Sequence, residues 1–450
     1  MKYFKEPKRI AAQGKPYTES RVSLQSTFRA LRYRNYRLFF IGQGASLIGT
    51  WMQRVATAWL VYRMTNSTVL LGIVGFVGQI PTFLLSPLGG VLADQMNRRN
   101  ILLGTQVLAM AQALFLAILV VTGAITVPWI LVLNIILGLI NAFDIAARQS
   151  FVVEMIENKE DLGNAIALNS TMFNAARLLG PSITGILIAS TGEGVCFFVN
   201  AASYVVIIVA LLAMNIAPRK ANKKRRRILL DFKEGFLYIT GSTPMRSTIA
   251  LLAMVSLFGM PFQVLMPVFA KLLPAGGAHT LGFLMGATGL GALCGALALA
   301  SRKSELPISN LIPVSAAIFG AGLTAFSISK NFWLSSFFLL ITGFGMIVQM
   351  ASSNTLLQIL TDDDKRGRVM AFYAMAFMGM APFGSLVAGG LAQLIGAPYT
   401  VMSGGVACIA GSLLFAKKIR SAKNVPPLPT STISLKIEEA IEKSDDVTSL

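Results

Sequence analysis

The chain has 450 residues, of which 54% are hydrophobic and only 13% are charged, and its mean hydropathy is +0.65. A soluble domain carries about 25% charged residues, so a water-soluble chain of this composition would expose large apolar patches. The same numbers exclude intrinsic disorder. Three cysteines without metal-ligand spacing exclude a disulfide scaffold and a cysteine metal site, and a single histidine argues against histidine catalysis. We therefore expect an all-α, multi-pass membrane protein that is not an enzyme.

The basic residues are distributed unevenly along the chain. The net charge of +19 concentrates in the first 37 residues, in the middle loop between Arg219 and Arg246, and after Lys417. The other set of loops holds only Arg63, Lys271 and Lys330. Because Lys and Arg are enriched in cytoplasmic loops, we expect both termini and the middle loop on the cytoplasmic side of a bacterial inner membrane. The pattern also argues against nucleic acid as a partner.

Twelve apolar segments are long enough to cross the hydrocarbon layer, which takes about 20 residues. The first six are Leu38–Tyr62, Val69–Leu92, Ile101–Thr122, Pro128–Ala147, Ala165–Ala189 and Val195–Met214. The second six are Thr248–Phe269, Leu281–Ser301, Leu311–Ile328, Phe332–Met350, Val369–Ile395 and Pro398–Ala416. These segments predict two six-helix bundles, residues 38–214 and 248–416.

Three polar regions surround the two bundles. Residues 1–37 form a basic cytoplasmic arm, and residues 417–450 form a tail that we expect to be disordered. Residues 215–247 form a basic linker, and its second part, from Ile228 to Thr240, has apolar residues near helical spacing. We expect an amphipathic helix there, lying either on the membrane surface or under the bundle.

The two bundles also share a weak internal repeat. A shift of 204 residues superposes small residues at matching places in the helix pattern: Gly163 on Gly367, Gly180 on Gly384 and Gly185 on Gly389. The repeat predicts two pseudo-symmetric halves.

The loop after the second segment reads Gly90-Val-Leu-Ala-Asp94-Gln-Met-Asn-Arg98-Arg99. It resembles the signature G-x-L-a-D-r-x-G-R-[RK] of the major facilitator superfamily, although it lacks one usual basic residue and one usual glycine. The resemblance implies two six-helix halves with a substrate site between them near mid-membrane. It also implies that Gly90, Asp94, Arg98 and Arg99 latch the halves together on the cytoplasmic side. A simple basic loop would need the arginines but not Asp94.

The fifth segment contains Arg177-Leu-Leu-Gly180-Pro181-Ser-Ile-Thr-Gly185. This stretch resembles the end of a motif of antiporters in the superfamily, which implies export; the alternative is an ordinary tight helix crossing. The stretches Trp51-Met-Gln-Arg54-Val-Ala-Thr-Ala-Trp59 and Ala147-Arg148-Gln149 resemble the branch that contains the enterobactin exporter and macrolide efflux proteins. That resemblance covers about residues 25 to 420.

Charged residues within the apolar segments are the leading candidates for a site. Arg54 and Arg177 lie near the middle of their segments, and a charge at mid-bilayer costs about 2.5–3.5 kcal/mol on insertion scales. We hypothesise that they attract an anionic or electronegative substrate; alternatively, each is a structural pin bonded to helix carbonyls. Asp144 and Arg148, at the cytoplasmic end of the fourth segment, are spaced to form an ion pair of their own.

Several uncharged polar residues accompany these charges. The candidates for hydrogen bonds to a substrate are Gln53, Thr57, Gln79, Asn174, Gln263, Gln349 and Tyr373. Most polar side chains inside membranes instead hold helices together.

Together these features predict a secondary active transporter that works as a monomer by alternating access. We expect it to export a small amphiphilic or anionic metabolite, siderophore-like in chemistry, or a hydrophobic drug. The alternatives are a lysophospholipid flippase of the same superfamily and a non-transporting receptor. A Walker loop is absent from the sequence, and we expect no cofactor or metal. Coupling to protons through Asp144, Asp94 and Arg148 is a hypothesis.

Overall fold

The computed structural model describes residues 28–215, 228–274, 276–301, 308–362 and 364–423. Within these ranges all regular elements are helical. The first half comprises α1 (Arg34–Thr65), α2 (Thr68–Gln95), α3 (Arg98–Val121), α4 (Val127–Glu154), α5 (Leu162–Thr191) and α6 (Glu193–Ala213). The rest comprises α7 (Ile228–Gly241), α8 (Thr243–Leu272), α9 (Ala278–Ala300), α10 (Ile308–Ile328), α11 (Phe332–Leu360), α12 (Arg366–Ile395) and α13 (Ala397–Lys423). The first 27 residues, the basic run 219–227 and most of the predicted tail lie outside the described residues.

The helix composition confirms a polytopic all-α membrane protein. Eleven helices of the described chain are long and apolar enough to span a membrane, one fewer than the twelve predicted. The remaining long helix, α1, has 32 residues but contains four arginines and several polar residues. It packs against α5 and α6 within the bundle. The fold therefore has a twelfth helix of spanning length, although the polar residues of this helix lower its hydropathy.

Short turns join the long helices at one end of the bundle, which we call the hairpin end. Asn66 closes α1 in the left-handed conformation (φ 49°), and the Ser67 hydroxyl caps α2 by accepting from the backbone N–H of Leu70. Gly192 (φ 86°) and Gly396 (φ 87°) make the corresponding turns before α6 and α13. The opposite end, which holds α7, is called the linker end.

The two halves cross at closely packed glycines in the hairpin-end part of their helices. A Cβ at Gly282 of α9 would lie 2.6 Å from the carbonyl oxygen of Pro181 and 2.7 Å from the Cα of Gly185, both in α5. A Cβ at Gly389 of α12 would lie 2.7 Å from the carbonyl oxygen of Thr68 and 2.8 Å from the Cα of Gly72, the latter in α2. The repeat-related glycines 185 and 389 thus occupy equivalent crossings, one on each side of the molecule.

Polar contacts reinforce the closed hairpin end. The Nζ of Lys271 donates to the side-chain oxygen of Asn66 at 2.6 Å, and the Thr68 hydroxyl donates to the carbonyl of Gly389 at 3.0 Å. Toward the linker end α5 no longer packs against α9. Ala167 and Thr171 continue the face of α5 that meets α9, but both residues are exposed. On the α5/α9 side the halves therefore meet at the hairpin end and separate toward the linker end, whereas on the α2/α12 side Phe83 still packs at Gly379.

Two spanning helices of the second half are interrupted by wide π turns. These turns are Val255–Gly259 in α8 and Met375–Gly379 in α12. The Ser256 hydroxyl of the first donates to the carbonyl oxygen of Phe377 in the second. Such turns often mark bending points in helices.

The predicted amphipathic helix exists as α7, and it packs on the start of α12. Glu234 pairs with Arg368 at 2.6 Å, and the rings of Phe232 and Phe372 lie 4.7 Å apart. Helix α7 thus contacts the bundle through α12, while Phe232 and Phe236 stay exposed, so both alternatives for this segment stay predictions.

A polar clasp fixes the chain before α1 to the turn before α5. The Asp161 side chain, only 1% exposed, accepts from the Tyr33 hydroxyl at 2.7 Å and pairs with Arg32 and Arg29. The backbone N–H of Ala30 also donates to the side-chain oxygen of Asn164, in the first turn of α5, at 2.9 Å. The hydrogen bond from Tyr33, with the charges of Arg32 and Arg29, holds the pKa of Asp161 below its ordinary value.

We predict that Asp161→Asn loosens this clasp across the neutral range. Because the native pKa is lowered, the stabilisation is complete above the ordinary value of about 3.9 and is lost only as pH falls through the lowered native value. Hydrogen exchange at Ala30, corrected for intrinsic rates, should be equally slow from about pH 5 to pH 8 in the parent protein. The variant should exchange faster throughout, and Glu160→Gln, an exposed neighbour, should not. Equal protection in all three proteins would disprove the clasp.

We also predict that Gly282→Val opens the hairpin end, because the new Cβ would collide with the backbone of α5. Spin labels on Thr191 and His279, exposed residues at the ends of α5 and α9, report the separation. The mean label distance should increase in Gly282→Val. It should stay at the parent value in Gly104→Val, where a Cβ meets nothing within 4 Å. An unchanged distance in Gly282→Val would show that this crossing does not hold the halves together.

Candidate functional site

Two arginines lie over one tryptophan at the centre of the bundle. The guanidinium carbon of Arg54 is 4.7 Å from the ring centre of Trp51, and that of Arg177 is 5.6 Å from the same ring. At a rise of 1.5 Å per residue, they lie about 16 Å and 21 Å from the hairpin ends of α1 and α5. The hydrocarbon layer is about 30 Å thick, so both charges are near mid-membrane.

A glycine in α5 makes this arrangement sterically feasible. A Cβ at Gly180 would lie 2.5 Å from the Cβ of Trp51, so any larger residue would push α5 away from α1. Phe173 supports the indole from the other direction, edge to face at 6.1 Å. The Gly180-Pro181 pair therefore contributes twice: Gly180 seats the tryptophan, and the carbonyl of Pro181 meets Gly282 at the crossing between the halves.

The positive charge of this group is not balanced by nearby carboxylates. In the part of the chain that the structure describes, neither Arg54 nor Arg177 forms an ion pair within 4 Å. One Nη of Arg177 donates to the Sδ of Met346 at 3.4 Å, a weak acceptor. Cation–π contacts contribute about 0.5–2 kcal/mol, no more than the insertion cost of one charge. The site is therefore electropositive and able to accept an anion.

A narrow pocket joins this group to the second half. It has room for about one water molecule, and its walls are Trp51, Arg177, Phe262, Gln263, Met266, Met285 and Thr288. Because α1 and α5 supply one wall and α8 and α9 the other, movement of the halves must change its size. Methionine and phenylalanine walls can adapt to ligands of different shape.

The structure brings only three of the predicted substrate contacts to this place. Arg177 and Gln263 line the pocket, and Arg54 adjoins it through Trp51. Gln53 and Thr57 are buried elsewhere, since Gln53 projects from α1 in a different direction from Arg54. Its side chain donates to Gln112 at 2.9 Å and accepts from Asn200 at 2.6 Å, which ties α1 to α3 and α6.

The other polar candidates bond within or between helices. Gln79 and Asn174 each donate to the backbone carbonyl four residues earlier in the same helix. Tyr373 donates to a backbone carbonyl of α11. Gln349 is fully buried and donates to a serine hydroxyl one turn on, while its side-chain oxygen has no partner among the described residues.

Asp144 lies farther from the end of its helix than the predicted segment indicates. Helix α4 continues to Glu154 rather than ending at Ala147, so Asp144 is about 15 Å inside the linker end of α4. The carboxylate is buried and pairs with Arg148, as the spacing predicts. It also accepts from Gln106 at 2.7 Å and from a threonine hydroxyl of α3 at 3.1 Å. A buried acidic group is therefore present about 25 Å from the hairpin end of α4, close to the linker-end edge of the hydrocarbon layer.

The predicted latch residues form a network within the first half. Arg98 pairs with Glu154 at 2.7 Å and with Asp94 at 3.3 Å, joining the ends of α2, α3 and α4. Arg99 donates to the carbonyl oxygen of Leu211 at 2.7 Å and so caps the end of α6. A Cβ at Gly90 would meet nothing within 4 Å. A latch across the halves remains a prediction for a conformation in which the linker end is closed.

Sequence reasoning missed the aromatic and sulfur-containing part of the site. Trp51 stands three residues before Arg54, on the same face of α1, and this spacing could have identified it. The methionines and Phe262 carry no such signal, because similar residues occur all along the lipid-facing surfaces.

Comparison with known proteins now assigns the fold to a family. Residues 25–439 match the family model MFS_3, described as a transmembrane secretion effector. The chain belongs to this family. It is therefore a multi-pass membrane transporter of the major facilitator superfamily, not an enzyme. The resemblance carried by the motifs of α1, α2 and α4 is confirmed.

Individual relatives agree with this assignment. The chain is 23% identical over 390 residues to the staphyloferrin A transporter of Staphylococcus aureus, covering 84% of this chain and 95% of the relative. It is 24% identical over 407 residues to the enterobactin exporter EntS of Shigella boydii, covering 89% and 96%. The crystal structure of a bacterial homolog of the human lysosomal transporter Spinster, inward-facing and occupied, matches with a TM-score of 0.67. That match is 13% identical in sequence and covers 88% of this chain and 99% of the other, so it supports the fold.

Proposed function

We propose that this transporter exports a small anionic amphiphile, siderophore-like in chemistry, across the bacterial inner membrane by alternating access. The observation that carries the proposal is the Arg54–Trp51–Arg177 group, which lies at mid-membrane where the halves meet and pairs with no carboxylate in the described chain. Guanidinium groups bind carboxylates through paired hydrogen bonds. An anion with an apolar or aromatic body would neutralise both charges and pack on the indole and the methionine walls.

The orientation of the closed and open ends fits loading from the cytoplasm. Basic residues such as Arg34, Arg37 and Arg99 are at the linker end, and we therefore assign that end to the cytoplasm. The halves separate toward the same end, so the site would face the cytoplasm in this conformation. An exported substrate binds from that side. The likeness to a structure described as inward-facing supports the same orientation.

Export of a hydrophobic drug is the second candidate. Phe262, Met266 and Met285 form an apolar wall opposite Arg177, and such a wall accepts uncharged aromatic compounds. One chain supplies both walls of the pocket, and we propose that the monomer is the working unit.

Proton coupling through Asp144 is part of the proposal. The buried carboxylate is paired with Arg148, and protonation would release that arginine. Gln106 links Asp144 to α1, because it also accepts from the Ser46 hydroxyl at 3.5 Å. Since α1 carries Arg54, a change at Asp144 can reach the substrate site through this helix.

We predict that Arg54→Gln and Arg177→Gln each reduce export of the anionic substrate about tenfold or more, because a hydrogen bond to a charged group contributes about 1.5–3 kcal/mol. Extracellular anion is measured by mass spectrometry in a deletion strain that carries each variant. Arg37→Gln, an exposed change in the same helix as Arg54, should export normally. Unchanged anion export in both variants would refute the anionic substrate, and a matching loss of neutral drug efflux would indicate structural damage.

We predict that Asp144→Asn abolishes the dependence of transport on a pH gradient while leaving binding of substrate intact. Transport by reconstituted protein is followed with and without an imposed gradient, beside Asp94→Asn, whose carboxylate is exposed. Asp94→Asn should change the rate without removing the dependence on the gradient. Gradient-driven transport that persists in Asp144→Asn would exclude this carboxylate as the proton carrier.

A further inference from the structure

A groove lies on the outer side of the contact between α5 and α9. Leu178 and Ser182 of α5 form one wall, the Phe283 and Ala287 side of α9 forms the floor, and the start of α11 with Ser336 forms the other wall. Its volume is about 430 Å³, within the range of roughly 300–1,000 Å³ that is usual for small-ligand pockets. The lining is almost entirely apolar. The groove is therefore built by both halves, as the central pocket is, but on another side of the same helices.

The groove opens toward the bilayer. Met285 and Thr288 of α9 line the central pocket, whereas Phe283, Ala287 and Leu290 project from the other side of this helix, as its period of 3.6 residues requires. Phe283 and Leu290 are exposed. On the outer side of a spanning helix the surrounding medium is hydrocarbon, so the groove is accessible to acyl chains.

The groove lies at the depth in the bilayer where the ester groups and the first part of the acyl chains of a lipid are found. Trp333, the second residue of α11, is 79% exposed at the hairpin end, where tryptophans mark the membrane interface. Ser336 is about one helical turn below the start of α11, and Leu178 is about 20 Å below the end of α5. The groove thus runs from the level of lipid ester groups to the level of the arginine pair.

One polar atom in this apolar lining has no partner. The Ser336 hydroxyl is buried and makes no hydrogen bond with any described residue. An unpaired buried hydroxyl is unfavourable, most of all where water is absent. Rotation of the Ser336 side chain would turn its hydroxyl into the groove that the residue lines, where the ester carbonyl of a bilayer lipid is an available acceptor.

We propose that this groove binds one acyl chain of a membrane phospholipid, with its ester carbonyl accepting a hydrogen bond from Ser336. Because α5 belongs to one half and α9 and α11 to the other, the chain fits only while the hairpin end is closed. The bound lipid therefore stabilises that conformation. This site is independent of the transported substrate, and its test needs no transport assay.

The test uses a phosphatidylethanolamine probe with a diazirine near the ester end of one acyl chain. The full-length protein is reconstituted in vesicles of phosphatidylethanolamine and phosphatidylglycerol, irradiated, digested and analysed by mass spectrometry. Label should concentrate on α9 around Phe283 to Leu290 and on the start of α11. Ala287→Phe, which fills the groove, should abolish this label, and Ser336→Ala should lower it about fivefold, as expected for one hydrogen bond.

Ala298→Phe is the matched control, because Ala298 is an exposed residue on the same side of α9 outside the groove. It should leave the label on the groove unchanged. Label spread evenly over the outer faces of the helices, or equal label in Ala287→Phe and Ala298→Phe, would overturn the site.

The conformational part is tested with spin labels on Thr191 and His279. In the parent protein, adding phosphatidylethanolamine to delipidated protein should increase the population with the short distance. Ala287→Phe should remove this response while its thermal unfolding stays cooperative. A response to lipid that is equal in Ala287→Phe and the parent would show that lipid acts elsewhere.

Discussion

Two positive charges held near the middle of a membrane set the main constraint on this protein. Arg54 and Arg177 share the ring of Trp51 and repel each other, and the described chain offers neither of them a carboxylate. The cation–π contacts offset only part of that cost. We propose that an anionic substrate completes this site. The pocket at the meeting point of the halves has methionine and phenylalanine walls but room for about one water molecule, so it would have to widen before the body of such an anion could pack there.

Glycines determine how closely the helices around the charges approach. Gly180 lets α1 reach α5 and so seats Trp51, while Gly185 and Gly282 let the two halves touch backbone to backbone. Gly72 and Gly389 make the equivalent contact on the other side. These contacts close the hairpin end without large interlocking side chains. Small surfaces of this kind can separate and re-form, which alternating access requires.

The sequence was sufficient to predict the fold because the membrane leaves few alternatives. Apolar segments of spanning length, basic residues in alternate loops and the Asp94–Arg98 motif all indicated two halves of six helices. Helix α1, predicted as Leu38–Tyr62, tolerates its polar residues because they bond inside the bundle; Gln53, for example, bonds to α3 and α6 instead of to lipid or substrate. The extent of α4 also escaped prediction, since Arg148, Gln149 and Ser150 interrupt the apolar run before the helix ends at Glu154.

The site was predicted only in part, and side-chain direction explains the difference. The two arginines were found because charge in an apolar segment is rare. Gln53 is adjacent to Arg54 in sequence, but neighbours on a helix point about 100° apart, and it faces the interior of the first half. The sequence could not distinguish the apolar walls of the pocket from lipid-facing residues, because both consist of the same hydrophobic residue types. The pocket walls are recognised only in the structure, where α8 and α9 pack against α5.

The most direct measurement of the central claim is anomalous diffraction from crystals grown in iodide, which needs no knowledge of the substrate. If the two guanidinium groups form an accessible site without a resident counter-charge, an iodide peak will lie between Arg54 and Arg177, close to Trp51. The peak will be absent in crystals of the Arg54→Gln, Arg177→Gln double variant. A parent structure without iodide at this place, or with a carboxylate against either arginine, would contradict the account.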